Sequence, residues 1–211
     1  VFALIMALTV IPLQAVGAES AYKCGSMPCD EISVNPHDKE SLQRGAGLYM
    51  NYCMGCHSLQ YSRYNRVAND LGIPEDLMMA NMVFDPTVKF GDLMENAMDD
   101  ANAKTWFGAN PPDLTLVSRA RQPEWLYTYL RSFYVDPFRP TGVNNLVFPD
   151  VGMPNVLGSL QGTQKAVYKT DTRQGVEVEY VDHLELAQPG SMSPEEFDQF
   201  LADLVNFMVY L

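Results

Sequence analysis

With 211 residues the chain is long enough for one domain, or for one domain and a membrane segment. Its 47% hydrophobic content, with 14 prolines and 14 glycines, describes a globular, loop-rich protein and excludes a disordered or fully membrane-embedded one. A formal net charge of −12 at pH 7 excludes nucleic acid as a partner, because phosphates need Lys and Arg; it suits a basic protein surface, although solubility alone would also account for it.

Residues 1–18, VFALIMALTVIPLQAVGA, carry no charge. Phe2 to Val10 reads as the apolar region of a secretory signal, and Val16-Gly17-Ala18 as its small-residue cleavage site. A membrane anchor is the alternative, but Pro12 and Gln14 leave a short apolar run. We therefore expect a signal remnant at 1–18, one folded domain at 19–211, and an oxidising compartment. Leu42, Gly45/Ala46, Tyr49 and Cys53 recur at helical spacing, so a helix is expected over 38–53. Short helices are expected at 61–71 and 74–82, and WFGANPPDLTLVSRAR should run from loop into helix. Pro123 opens an aromatic helix over 123–134, followed by an irregular stretch over 135–163. VEVEY at 176–180 alternates, which suggests a small hairpin turning near Gln174-Gly175. Ser193-Pro194-Glu195-Glu196 is a capping-box start, and Phe197, Phe200, Leu201, Leu204 and Met208 then trace one apolar face. The expected class is mainly α with long loops and a small β-hairpin insertion.

The chemistry concentrates in Cys53-Met54-Gly55-Cys56-His57. Two thiols on one turn can add to the two vinyl groups of a haem while the neighbouring imidazole reaches the iron. A thioredoxin-like pair would open a helix, whereas this one closes a helix. A zinc site from Cys24, Cys29, Cys53 and Cys56 would be poorly spaced and would leave His57 idle. One motif implies one covalent haem. For its second axial position His37 and His183 offer bis-histidine ligation. Among the 12 methionines, Met78, Met79, Met82, Met94 and Met98 lie in helix-like stretches where packing is the ordinary role. Met153, between Gly152 and Pro154, sits in a rigid loop able to present a thioether, and Met192 is its strongest rival. A thioether ligand favours the ferrous state and closes the iron to substrates, which suits electron transfer. Arg119 and Arg121 are candidate partners for the haem propionates.

Gly45 and Tyr49, eight and four residues before Cys53, resemble the small and aromatic positions of the first helix of class I c-type cytochromes, with DLVNFMVYL and Phe207 similar to the helix it crosses. NYCMGCHSLQYSRYNRVANDLGI, WFGANPPDLTLVSRAR, FPDVGMPNVL and GSMSPEEFDQFLADLVNFMVYL, in this order, resemble the cytochrome c1 family, the haem c subunits of ubiquinol–cytochrome c oxidoreductase (the cytochrome bc1 complex). The resemblance covers about 38–211. It implies a class I cytochrome c-like helical fold around one covalent haem c. It also implies thioethers at Cys53 and Cys56, axial ligands at His57 and Met153, pocket walls at Asn110, Pro111 and Pro112, and a propionate contact at Arg121. The implied partners are cytochrome b, the Rieske iron–sulfur protein and a basic or tethered cytochrome c acceptor. Attachment would be by one C-terminal helix at the periplasmic face of the bacterial inner membrane. A free-standing periplasmic monohaem carrier is the alternative, and a peroxidase-like haem enzyme would require an open sixth site. Cys24 and Cys29 lie outside these segments; a local disulfide is expected, with a free or metal-bound pair as the alternative. Acids cluster in 70–100 and in 174–211, the latter without Lys or Arg, and would steer a basic cytochrome.

Overall fold

The computed structural model describes residues 23–25, 27–173 and 175–211; the signal-like segment 1–18 and Gln174 lie outside them. The described residues begin with strands β1 (Lys23–Cys24) and β2 (Met27–Pro28), closed by a Cys24–Cys29 disulfide as expected. Helix α1 (Lys39–Tyr52) starts where the Asp38 carboxylate accepts from the Ser41 backbone N–H at 3.1 Å.

The helix expected over 61–71 begins late. Strand β3 (Leu59–Arg63) comes first and pairs antiparallel with β4 (Leu93–Met94); helix α2 covers only Tyr64–Leu71. Backbone bonds from Tyr64 to Asp92 and from Asn65 to Phe90 hold this entry, so a long-range partner overrides the local helical spacing. Helix α3 (Glu75–Met82) matches expectation. Met94 and Met98 do not lie in helices, because β4 and the loop after it intervene.

Helix α4 (Asp100–Phe107) was not anticipated. Asp99 caps its Ala101 and Asn102 N–H groups at 3.0 Å, and Gly108 ends it in the left-handed conformation. Helix α5 (Val117–Arg121) and helix α6 (Pro123–Arg131) follow. Helix α6 stops short of 134 because Phe133–Val135 leaves it as β5, paired with β6 (Val143–Asn145). The stretch 135–163 is therefore only partly irregular, since it also contains α7 (Gly158–Gln161). The hairpin is much larger than expected: β7 (Gly162–Arg173) and β8 (Val176–Pro189) turn at Gly175, which has a φ of 81°. VEVEY alone could not reveal this length, because β8 is exposed along nearly all its residues and shows no period of burial.

Helix α8 (Pro194–Tyr210) carries the expected capping box and buries Phe197, Phe200, Leu201, Leu204, Val205, Phe207 and Met208. Each fully buried side chain of this size contributes about 1.5–3 kcal/mol, so α8 is the main organiser of the core. It packs directly against α1. A Cβ at Gly45 would lie 2.1 Å from the Asp203 carbonyl oxygen and 2.7 Å from Phe207 Cβ, so only glycine permits this approach. Around the crossing, Arg44 Nε and Nη2 bond Asp203 at 2.7 and 2.9 Å, and Ser41 Oγ donates to the same carboxylate at 2.7 Å. Tyr49 and Phe207 meet at 5.9 Å between ring centroids, and Tyr52 and Phe200 at 5.4 Å.

Replacing Gly45 by Ala should cost about 3 kcal/mol or more, because backbone, not a mobile side chain, opposes the new methyl. Gly47→Ala, whose Cβ would meet only Met82 Cε at 3.9 Å, should instead gain up to ~1 kcal/mol of helix propensity. Thermal unfolding of the two variants side by side checks both signs.

Candidate functional site

Helix α1 delivers the Cys-x-x-Cys-His motif. Its last turn runs into Cys53, whose N–H bonds the Tyr49 carbonyl, and the chain continues in tight turns: Cys56 and His57 both donate to the Cys53 carbonyl, at 3.0 and 2.9 Å. Tyr49 then reaches forward, its hydroxyl donating to the His57 carbonyl at 2.9 Å. One side chain thus links the α1–α8 packing to the motif's last residue.

Cys53 and Cys56 are free thiols, each partly buried. Burial pushes Cys53 up to about 12 and raises Cys56 as well, so both are protonated at neutral pH. Burial lowers the pKa of His57, against an opposing hydrogen bond to Pro112, and the ring is neutral at pH 7. Its Nδ1 lies 2.8 Å from the Pro112 carbonyl oxygen. That oxygen only accepts, so the proton is on Nδ1, leaving the Nε2 lone pair for a metal.

The loop bearing Pro112 is zipped onto the motif and onto β3. Leu114 donates to the Ser58 carbonyl at 3.0 Å, and Gln60 N–H donates to Asp113 Oδ2 at 2.7 Å. Asn110 and Pro111 join Cys56 in the wall of a cleft of about 330 Å³. Asn110 Oδ1 is buried there without a hydrogen-bond partner, a costly state that a bound group would relieve.

Met153 occupies the loop after β6, partly buried against the core. Tyr129 Oη donates to its Sδ at 3.2 Å. Burial raises the Tyr129 pKa, so its hydroxyl stays a donor. Gly152 is needed beside it, because a Cβ there would lie 2.8 Å from the Phe107 carbonyl oxygen. The remaining sequence candidates separate clearly. His37 is exposed, and His183 lies exposed on the hairpin with its Nδ1 2.8 Å from Asp182. Met192 is partly buried beside α7, with its N–H on the Leu160 carbonyl. Arg119 and Arg121 are both exposed, and the Arg121 guanidinium lies 5.0 Å over the Trp125 ring.

These residues fit a covalent haem. The motif offers two protonated thiols and an imidazole of fixed tautomer, and it lies beside an unsatisfied acceptor. Among the described residues no cluster of three or more His, Cys, Asp or Glu is arranged for a separate metal ion. Trp125, Tyr129 and Asn145 were not singled out from sequence. The first two repeat every four residues after Arg121, a spacing that could have marked them.

Comparison with known proteins agrees. The family model described as the Cytochrome C1 family matches residues 30–182. A cytochrome c1 of Allochromatium vinosum is 50% identical over 186 residues, spanning 88% of this chain and 75% of that protein. An ammonia monooxygenase gamma subunit of Nitrosomonas europaea is 43% identical over 208 residues, 99% of this chain and 81% of that protein. A mitochondrial cytochrome c1-2 heme protein of Solanum tuberosum is 26% identical over 189 residues, 76% and 72% respectively. With a family match across the motif and 50% identity over most of its length, the chain belongs to the cytochrome c1 family.

Proposed function

We propose that this chain is the electron-transfer subunit of a cytochrome bc1 complex, receiving electrons from the Rieske iron–sulfur protein and passing them to a cytochrome c. One haem c is its cofactor; Cys53 and Cys56 would hold it through thioethers, and His57 Nε2 and Met153 Sδ would ligate its iron. Bound there, the haem supplies a one-electron couple. The Pro112 carbonyl orients His57; Asn110, Pro111 and Pro112 wall the group; Arg121 serves a propionate. The fold is of the class I cytochrome c type, and the glycine-mediated α1–α8 crossing supports that assignment. The haem domain sits at the periplasmic face of the inner membrane beside cytochrome b. Among the described residues no helix is long and apolar enough to cross a membrane, so anchoring remains part of the proposal.

Most support comes from the neutrality and fixed orientation of both ligands. A thioether favours ferrous iron and leaves no coordination site for a substrate, which suits a relay rather than an oxygenase or peroxidase.

The acceptor face follows from the charge distribution. In the C-terminal acidic stretch, Asp182, Glu185, Asp198 and Asp203 are already paired with Lys169, Lys165, Arg131 and Arg44. They offer a partner little. A cleft of about 590 Å³ instead borders Met54 and Gly55 of the motif, with exposed Phe84 and Trp106 and the acids Asp85 and Glu95 at its rim. Exposed aromatics beside acids that form no ion pair with Lys or Arg among the described residues suit a basic cytochrome c.

In the holoprotein, Met153→Ala should open the iron, so that the ferrous variant binds carbon monoxide and the parent does not. A variant with the parent's spectrum and no carbon monoxide adduct would remove Met153 as ligand. From solubilised membranes the tagged chain should co-purify with a b-type haem and an iron–sulfur subunit; a free-standing carrier would emerge alone. Phe84→Ala with Trp106→Ala should weaken binding of a basic cytochrome c by about tenfold or more. Asp85→Asn with Glu95→Gln should mainly slow association and flatten its salt dependence.

A further inference from the structure

The turn between β5 and β6, residues 136–142, holds a phenylalanine out into solvent: Phe138 is 94% exposed, more than any other large apolar side chain among the described residues. Its backbone is nonetheless fixed. Asp136 N–H donates to the Gly142 carbonyl at 3.0 Å, Arg139 N–H to the Asp136 carbonyl at 3.1 Å, and Gly142 N–H to the Arg139 carbonyl at 2.9 Å. Phe138 N–H donates to Asp136 Oδ1 at 3.1 Å, and Asn144 Nδ2 donates to the other carboxylate oxygen at 3.0 Å. Pro137 and Pro140 restrict the backbone on either side. A ring left in water forgoes the stabilisation that burial would bring, so the fold gains nothing from it. A partner, by contrast, meets an aromatic anchor that is already ordered.

The turn is tied to the loop that carries Met153. Arg139 pairs with Asp150 at 2.7 Å, and Asp150 N–H donates to Asn144 Oδ1 at 2.9 Å. The three residues from Asp150 to Met153 span at most about 11 Å, so a partner seated on the turn arrives at the Met153 side of the site. Val135, at the end of β5, and Phe148, two residues before Asp150, are exposed on the same two segments. The charges here are consumed internally: Arg139 faces Asp150, and both carboxylate oxygens of Asp136 accept hydrogen bonds. The acceptor cleft is the opposite case, with Asp85 and Glu95 at its rim beside Met54 and Gly55 of the motif. Acids steer a partner that diffuses, whereas a partner held in the same assembly needs no steering.

We propose that the Phe138 turn, with Phe148, is the docking surface for the electron donor, the iron–sulfur subunit, and that the acceptor uses the separate cleft at Phe84 and Trp106. The inference rests on the bc1 reading above. A tether supplies effective concentrations on the order of millimolar, so a small apolar contact is enough to seat the donor and weak enough to release it. While the donor is seated, its reduced cluster gives up one electron and the ferric iron takes it; no covalent bond forms or breaks. The Arg139–Asp150 pair holds the anchor beside the Met153 loop. Two separate surfaces let reduction and oxidation proceed without the partners competing for one site.

Phe138→Ala with Phe148→Ala tests this in the intact, haem-loaded complex by two stopped-flow measurements. Reduction of the haem by quinol through the iron–sulfur subunit should slow about tenfold or more, because two aromatic anchors are lost. Oxidation of the pre-reduced complex by cytochrome c should keep the parent's rate. Phe84→Ala with Trp106→Ala should show the reverse split. An unchanged reduction rate in the first variant would overturn the proposal. So would slowing confined to oxidation, or equal slowing of both steps. If that variant does not load haem, cross-linking decides. A photoreactive phenylalanine analogue in place of Phe138 in the full complex should capture the iron–sulfur subunit. Capture of cytochrome b, cytochrome c or a second copy of this chain, or no capture, overturns the proposal. If the chain purifies with neither a b-type haem nor an iron–sulfur subunit, the bc1 reading has failed and the surface with it. If the complex is intact and the Phe138 variant is reduced at the parent's rate, only the surface has failed.

Discussion

The contact between α1 and α8 at Gly45 is the constraint from which the rest of the molecule follows. Without a side chain there, α1 rests its backbone on the Asp203 carbonyl and the Phe207 side chain. The direction of α1 then fixes where its C-terminal turn emerges, and that turn carries Cys53, Cys56 and His57. Tyr49 makes the coupling physical: its ring packs on Phe207 while its hydroxyl bonds the His57 carbonyl. Packing energy at the crossing is converted into position at the motif. The buried Asp203, held by Arg44 and Ser41, keeps the two helices from sliding along each other.

The residue proposed as second ligand is positioned by different means. Met153 has no helix beneath it, and its loop is held by a neutral hydrogen bond from Tyr129, by the Val147 and Phe148 N–H groups donating to Asn145 Oδ1, and by the close approach of Gly152 to Phe107. Such bonds are each worth about 0.5–1.5 kcal/mol, but in a buried network they specify one geometry. The two sides of the site therefore differ in character. One is set by helix packing, and the other by a polar lattice around a single tyrosine. Under the proposed ligation both would present uncharged donors, which is what a redox centre needs if electron transfer is to cost little rearrangement.

Much of this was legible in the residues. Gly45, the Cys-x-x-Cys-His turn and the Ser193 cap each demand a specific local geometry, and all three took it. The Asp99 and Gly108 signals that bound α4 were equally plain, yet the helix between them was not anticipated. The β3 entry to α2 was hidden, because its partners Phe90 and Asp92 are distant in sequence and leave no periodic trace. The hairpin's length was hidden for the opposite reason: an exposed ribbon imposes no burial pattern. The acidic C-terminal stretch suggested a docking face, but four of its acids are neutralised within the chain, a fact only the tertiary pairing reveals. The bond between Tyr129 and Met153 spans 24 residues and joins a helix to a loop, so no local rule could forecast it.

The central claim is that the iron is closed by one imidazole and one thioether. X-ray absorption at the iron edge of the purified, haem-loaded protein tests it most directly, because sulfur and nitrogen scatter differently in the first coordination shell. The account predicts one sulfur neighbour in both oxidation states, with five nitrogens completing the shell. A shell containing only nitrogen and oxygen would contradict it, and with it the closed electron relay.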